Sequence, residues 1–169
     1  RNPPTALKPG VDQHFEAYRF VLPGYNVRPT EMAGAVGTVQ LGKLDEMIKL
    51  RRRNLKVFQE LFSQDPRFRI QSEHGQNSSF CFPVVLNSMM NPDRSKLFAA
   101  FRENDIGFRI ITGGCFTKHP VISYYNYDIV GDLGHAETAH DYGFFLGNFP
   151  MDLTVELTQA HEVLTSVLG

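Results

Sequence analysis

Three short strings carry the side chains best equipped for chemistry. The first, Gly24-Tyr25-Asn26-Val27-Arg28-Pro29-Thr30-Glu31, brings an amide, a guanidinium and a hydroxyl to the start of an expected helix. The first N–H groups of a helix lack intrahelical partners and the dipole there favours negative charge, so a phosphate suits that corner. The plainer alternative is that Asn26 and Thr30 cap the helix while Arg28 pairs with a carboxylate. The second string, Thr112-Gly113-Gly114-Cys115-Phe116-Thr117-Lys118-His119, sets a cysteine four residues before a histidine. A thiolate nucleophile would need such a base. Loop spacing does not establish the hydrogen bond, however, and a small buried cysteine is the commoner outcome. In the third string His135 and His140 are five apart, with Asp132 and Asp141 beside them. Two histidines share a helical face at a spacing of four, and zinc takes three or four ligands, so no metal site is expected.

The elements that position these strings follow from periodicity. Residues 1–24 read as irregular, punctuated by Pro3-Pro4, Pro9-Gly10 and Pro23-Gly24, with residues 18–22 as a possible strand. One long helix is predicted over residues 29–62, from Met32, Val36, Val39, Leu44, Met47, Ile48, Leu55, Phe58, Leu61 and Phe62 at spacings of three and four. Gly34, Gly37 and Gly42 each cost about 1 kcal/mol against alanine inside a helix. Either the helix frays or kinks there, or another backbone or a ligand comes close. Arg51-Arg52-Arg53 reads as a solvated turn. Strands are expected at 68–70 and 80–86, the second at an edge or bulge because of Pro83. A helix over 93–104, a strand at 108–111, an aromatic loop over 112–134 and helices at 136–145 and 154–167 complete the order. That is a small two-layer α/β sandwich, helices packed on a short sheet.

The chain has 169 residues, 17 Lys+Arg, 18 Asp+Glu and a formal net charge of −1. With no basic excess there is little to displace counterions from nucleic acid. No apolar run approaches the length of a membrane span. Two cysteines are too few for a disulfide framework and allow a reducing compartment. The first residue is arginine and no signal pattern follows, so the sequence reads as part of a longer protein.

The string LPGYNVRPTEMAGAVGTVQLGKL, residues 22–44, resembles a segment of the DegT-type nucleotide-sugar aminotransferases and dehydratases, fold-type I pyridoxal-phosphate enzymes. The likeness continues through Asp105-Ile106-Gly107-Phe108-Arg109 and His119-Pro120. The closing Tyr142-Gly143-Phe144-Phe145-Leu146-Gly147-Asn148 is similar to the branch of sugar 3-dehydratases. The resemblance implies that residues 1–28 are an interface arm from the end of the large cofactor domain, and residues 29–169 the small C-terminal α/β domain with its connecting helix. It implies that the catalytic lysine or histidine lies upstream and none of the catalytic residues is in this chain. Asn26 and Arg28 would hold the phosphate of pyridoxal 5'-phosphate across a homodimer interface. His119, in a loop that departs from the aminotransferase pattern, would face substrate together with Arg109. The substrate would be a nucleotide-linked 4-keto sugar and the enzyme cytoplasmic, with neither nucleic-acid nor membrane partner. The competing reading is a stand-alone binding module whose aromatic loop (Phe116, Tyr124, Tyr125, Tyr127) grips a partner.

Overall fold

A computed structural model describes residues 18–24 and 30–169. It contains helices α1 (Glu31–Leu41), α2 (Leu44–Phe62), α3 (Arg94–Glu103), α4 (Gly134–Tyr142) and α5 (Thr154–Leu168). Four strands, β1 (Phe68–Ile70), β2 (Cys81–Leu86), β3 (Phe108–Ile110) and β4 (Gly143–Gly147), form one antiparallel sheet in the order β1-β2-β4-β3. Helices α2, α3 and α5 cover one face, giving the expected two layers.

Strand alternation decides which face is covered. Phe82, Val84 and Leu86 of β2, Phe144 and Leu146 of β4, and Phe108 and Ile110 of β3 all point into the core. They meet Phe58 and Phe62 of α2, Leu97, Phe98 and Phe101 of α3, and Leu157, Ala160 and Leu164 of α5. The core is built on phenylalanine. Phe58 stacks on Phe62 and Phe82 at centroid distances of 4.5 and 4.7 Å, and Phe98 stacks on Phe108 at 4.4 Å. Offset pairs of this kind add about 0.5–1.5 kcal/mol beyond buried area.

The Asn-Pro-Asp start predicted for α3 is present. Asp93 accepts hydrogen bonds from the N–H groups of Ser95 and Lys96. The helix ends as the sequence suggests: Asp105 takes a left-handed φ of 55° and the Ile106 N–H returns to the Phe101 carbonyl at 2.8 Å.

Four expectations about elements are corrected. The long helix is two helices, because the chain turns at Gly42-Lys43 between α1 and α2. Residues 18–22 are not a strand; they form a turn and irregular backbone. The helix expected to run to residue 145 stops at Tyr142, and residues 143–147 become a central strand. The reason is packing: a Cβ at position 143 would collide with the Ala139 carbonyl and Ile111, so only glycine lets the chain turn so tightly from α4 into β4. Finally, β2 is an interior strand, paired with both β1 and β4. Pro83 is tolerated because β1 has ended. Bond alternation from Asn87 N–H to the Arg67 carbonyl (2.8 Å) puts the Pro83 nitrogen on the β1 side, one position past Ile70, where no rung is lost.

One polar pair lies within the core and the sequence did not flag it. Asn54 and Asn148 are 0% and 2% exposed. Asn54 Nδ2 donates to Asn148 Oδ1 (3.0 Å) and to the Met151 carbonyl (2.7 Å). Asn148 Nδ2 donates to the carbonyls of Arg51 (3.1 Å) and Ser79 (2.7 Å). Leu153 N–H donates to Asn54 Oδ1. Satisfied in this way, the pair locks α2 to the turn between β4 and α5. The neighbouring arginines are less solvated than expected: only Arg53 is exposed, paired with Asp152 at 2.8 Å, while Arg51 and Arg52 are half-buried.

Candidate functional site

Asn26 and Arg28 lie outside the described residues. Thr30, which follows them, is extended (φ −80°, ψ 166°), and its hydroxyl makes no cap bond to α1. The chemistry that can be followed atom by atom is gathered where residues 18–20, the loop after β3 and the end of α4 meet.

Arg109 is the middle residue of β3. Its neighbours Phe108 and Ile110 point to the core, so its side chain emerges on the opposite face, where it is exposed. Arg109 donates a hydrogen bond to the Tyr18 hydroxyl at 3.0 Å. That contact spans 91 residues of sequence, and nothing in the spacing announced it.

His119 is 5% exposed. Its Nδ1 accepts the Phe20 N–H at 3.2 Å, so the neutral ring carries its proton on Nε2, which lies 2.8 Å from the Gly113 carbonyl. Both ring nitrogens are thus used inside the chain. The Phe20 ring meets the imidazole edge-on at 5.0 Å, and the Phe20 carbonyl takes the Val121 N–H. His119 therefore ties the segment before residues 25–29 to the loop after β3.

His140, near the end of α4, plays the same part from the other side. Its Nδ1 accepts the Cys115 N–H at 3.3 Å, and its ring lies 5.6 Å from that of His119. Gly114 adopts φ +49°, and any Cβ there would run into the His140 ring. Burial, helped by the cations Lys118 and Arg94 and by His119, lowers the His140 pKa below its usual value, with Asp141 opposing. Lys118 donates to Asp141 Oδ2 at 2.6 Å, and that bond raises the lysine pKa. Arg94 donates to the carbonyls of His140 (3.0 Å) and Gly143 (3.3 Å).

The sequence had singled out Cys115 and His119 as a possible nucleophile and base. The structure does not bring them together in that sense. Cys115 is buried, its Sγ lies 3.1 Å from the Thr117 hydroxyl, and both His119 nitrogens are bound elsewhere. Among the described residues no three His, Cys, Asp or Glu side chains gather as a metal ion would require. Phe116, Tyr124, Tyr125 and Tyr127 are about half exposed and so are not core residues of this chain. Arg94 and Tyr18 were missed by the sequence reading, and His140 was weighed there only as a metal ligand. The Gly113-Gly114 pair was the available signal, since adjacent glycines before a buried cysteine imply a close approach by another group.

The model of the DegT/DnrJ/EryC1/StrS aminotransferase family matches residues 6–167. A GDP-4-keto-6-deoxy-D-mannose 3-dehydratase of Yersinia pseudotuberculosis is 39% identical over 155 residues, which is 91% of this chain and 39% of that protein. The protein of the same description from Escherichia coli O55:H7 is 36% identical over 97% of this chain and 42% of its own length. The solved structure of the E. coli GDP-4-keto-6-deoxy-D-mannose-3-dehydratase with bound hydrated PLP superposes with a TM-score of 0.76 at 37% identity, over 90% of this chain and 40% of that one. The chain thus spans about two fifths of the length of these relatives.

Proposed function

The chain belongs to the DegT/DnrJ/EryC1/StrS aminotransferase family, and from that premise we propose that it is part of a pyridoxal-phosphate-dependent nucleotide-sugar enzyme. The reaction is removal of the 3-hydroxyl from a GDP-linked 4-keto-6-deoxysugar, in a cytoplasmic enzyme of deoxysugar and lipopolysaccharide biosynthesis. The observation that carries this reading is the 39% identity to a 3-dehydratase across 91% of the chain. Sugar aminotransfer is the neighbouring chemistry in the same family.

The donor set fits the phosphate end of the cofactor. Asn26, Arg28 and the uncommitted Thr30 hydroxyl stand before the first turn of α1, and a phosphate dianion wants fixed donors and a guanidinium fork. Supplied to a neighbouring subunit, they couple dimer formation to cofactor retention. When bound, the cofactor would supply an electron sink for negative charge on the sugar. Arg109, steadied by Tyr18, would contact the anionic substrate. His119 would serve that same loop by holding it, since its ring nitrogens are bound to Phe20 and Gly113. The 169-residue chain alone would neither retain cofactor nor turn over sugar nucleotide.

The test is Asn26→Ala in the complete enzyme, which should lose bound cofactor on dialysis, read by its absorbance. Equal occupancy in variant and parent overturns the phosphate role. A second reading, a stand-alone module gripping a partner through its aromatic loop, draws on the exposure of Phe116, Tyr124, Tyr125 and Tyr127. The mass of the native gene product separates the two, because a natural chain of this length with its own start removes the fragment reading.

A further inference from the structure

Phe20 is held by both of its backbone groups. Its N–H donates to His119 Nδ1 at 3.2 Å, across a separation of 99 residues, and its carbonyl accepts the Val121 N–H at 3.1 Å. Two residues earlier the Tyr18 hydroxyl accepts from Arg109, and the Tyr18 side chain packs against the edge of the core. Residues 18–20 are thus stitched to β3 at one end and to the loop after β3 at the other.

The loop that does the holding is itself fixed. His119 Nε2 donates to the Gly113 carbonyl, His140 Nδ1 accepts the Cys115 N–H, and the His140 ring fills the space that a Cβ on Gly114 would need. Beyond Phe20 the hold weakens. Residues 22–24 are exposed, and α1 has no buried residue. In sequence, residues 25–29 therefore lie between one firm anchor, Phe20, and a helix that draws nothing from the core. Asn26 is six residues from Phe20, a tether of at most about 22 Å. Fixing one end of a short tether lowers the entropy lost when side chains on it close around a ligand.

We propose that His119 is a positioning residue for the cofactor donors. By holding Phe20 it sets the anchor from which Asn26 and Arg28 reach the phosphate, and Nδ1 is the atom responsible. The inference rests on the phosphate role proposed above for Asn26 and Arg28, and couples that role to the loop after β3. It also separates His119 from a substrate acid or base, because both ring nitrogens are bound within the chain.

Two substitutions in the complete enzyme divide the ring in half. His119→Asn places an amide oxygen near the position of Nδ1 and keeps an acceptor for the Phe20 N–H, whereas His119→Gln carries its amide nitrogen towards the position of Nε2 and keeps a donor for Gly113. Both lose the aromatic ring, so their contrast isolates the acceptor. Hydrogen exchange over residues 18–24 is followed by mass spectrometry, and retention of pyridoxal 5'-phosphate on dialysis by absorbance. His119→Gln should exchange about tenfold faster at the Phe20 amide and hold the cofactor about tenfold more weakly, the scale of one lost hydrogen bond. His119→Asn should stay close to the parent in both. The reverse order of the two variants overturns the proposal. So does faster exchange in His119→Gln with the cofactor fully retained. Equal loss of cofactor in both variants, with equally lowered urea midpoints, marks a purely structural histidine and overturns it too. The two readings fail differently. Full occupancy in Asn26→Ala removes the phosphate role itself, whereas loss in Asn26→Ala with full occupancy in His119→Gln removes only the part assigned to His119.

Discussion

His140 shows how a single side chain can organise a loop without reacting. Its imidazole is kept neutral by burial, with the cations Lys118 and Arg94 and the His119 ring adding to the effect and Asp141 opposing it. Its Nδ1 lone pair then holds the Cys115 N–H. A histidine whose folded pKa is lowered binds fewer protons folded than unfolded in the window between that pKa and about 6.5. Stability therefore rises with pH through this window, is fully present above it, and falls as the pH drops below about 6.5. One such group contributes a slope of at most about 1.4 kcal/mol per pH unit. Urea unfolding of the parent should show that decline as the pH falls below about 6.5, and His140→Gln, which keeps an acceptor but cannot titrate, should show a flatter profile. Identical slopes would mean that His140 is not the group being titrated. The same residue scale explains why the site was only partly legible. Arg109 and His119 were singled out through the resemblance, yet their partners Tyr18, Phe20 and Gly113 are set by tertiary contacts that no local spacing encodes.

At the scale of elements, most of the sandwich could be read from periodicity, and the misses have physical causes. Phe58, Phe62, Leu97, Phe98 and Phe101 lie where helical spacing put them. Strand β4 was hidden because Gly143-Phe144-Phe145-Leu146-Gly147 continues a helical run without a breaker other than glycine, and its extended form is imposed by pairing with β2 and β3 on both sides. The glycines make the contrast testable. Gly143 is buried, and a methyl group there meets the Ala139 carbonyl and Ile111. Overpacking at such a position costs about 1–3 kcal/mol. Gly37 has nothing within 4 Å of its missing Cβ and sits in helical backbone. Alanine there should favour the helix by about 0.4–1 kcal/mol. Gly143→Ala should thus lower the urea midpoint of the chain, while Gly37→Ala leaves the midpoint in place and raises helical circular dichroism. A lowered midpoint in Gly37→Ala would show that α1 is packed against the rest of the chain.

The whole molecule divides energetically at Gly42. Beyond it, α2, α3 and α5 share a continuous apolar core with the sheet. Before it, α1 has no buried residue at all: Met32, Val36, Val39 and Leu41 are 78%, 61%, 63% and 67% exposed. An isolated helix of 11 residues is marginal in water, since nucleation is unfavourable and helices draw most of their stability from packing. The apolar side chains of α1 therefore gain nothing from this chain by being apolar. Val36→Asp should change the unfolding free energy of the isolated chain by less than about 0.5 kcal/mol, the range of ordinary surface substitutions. In the complete enzyme the proposed function makes α1 the helix whose mouth holds a cofactor phosphate at a subunit interface. There the same charge would be buried without a partner, and subunit association and cofactor occupancy should fall together. Sedimentation of the complete enzyme and urea unfolding of the chain measure the two halves separately. A complete enzyme that keeps its assembly and its cofactor with Asp at position 36 would remove α1 from the interface, and with it the reason for placing Asn26 and Arg28 against a neighbouring subunit.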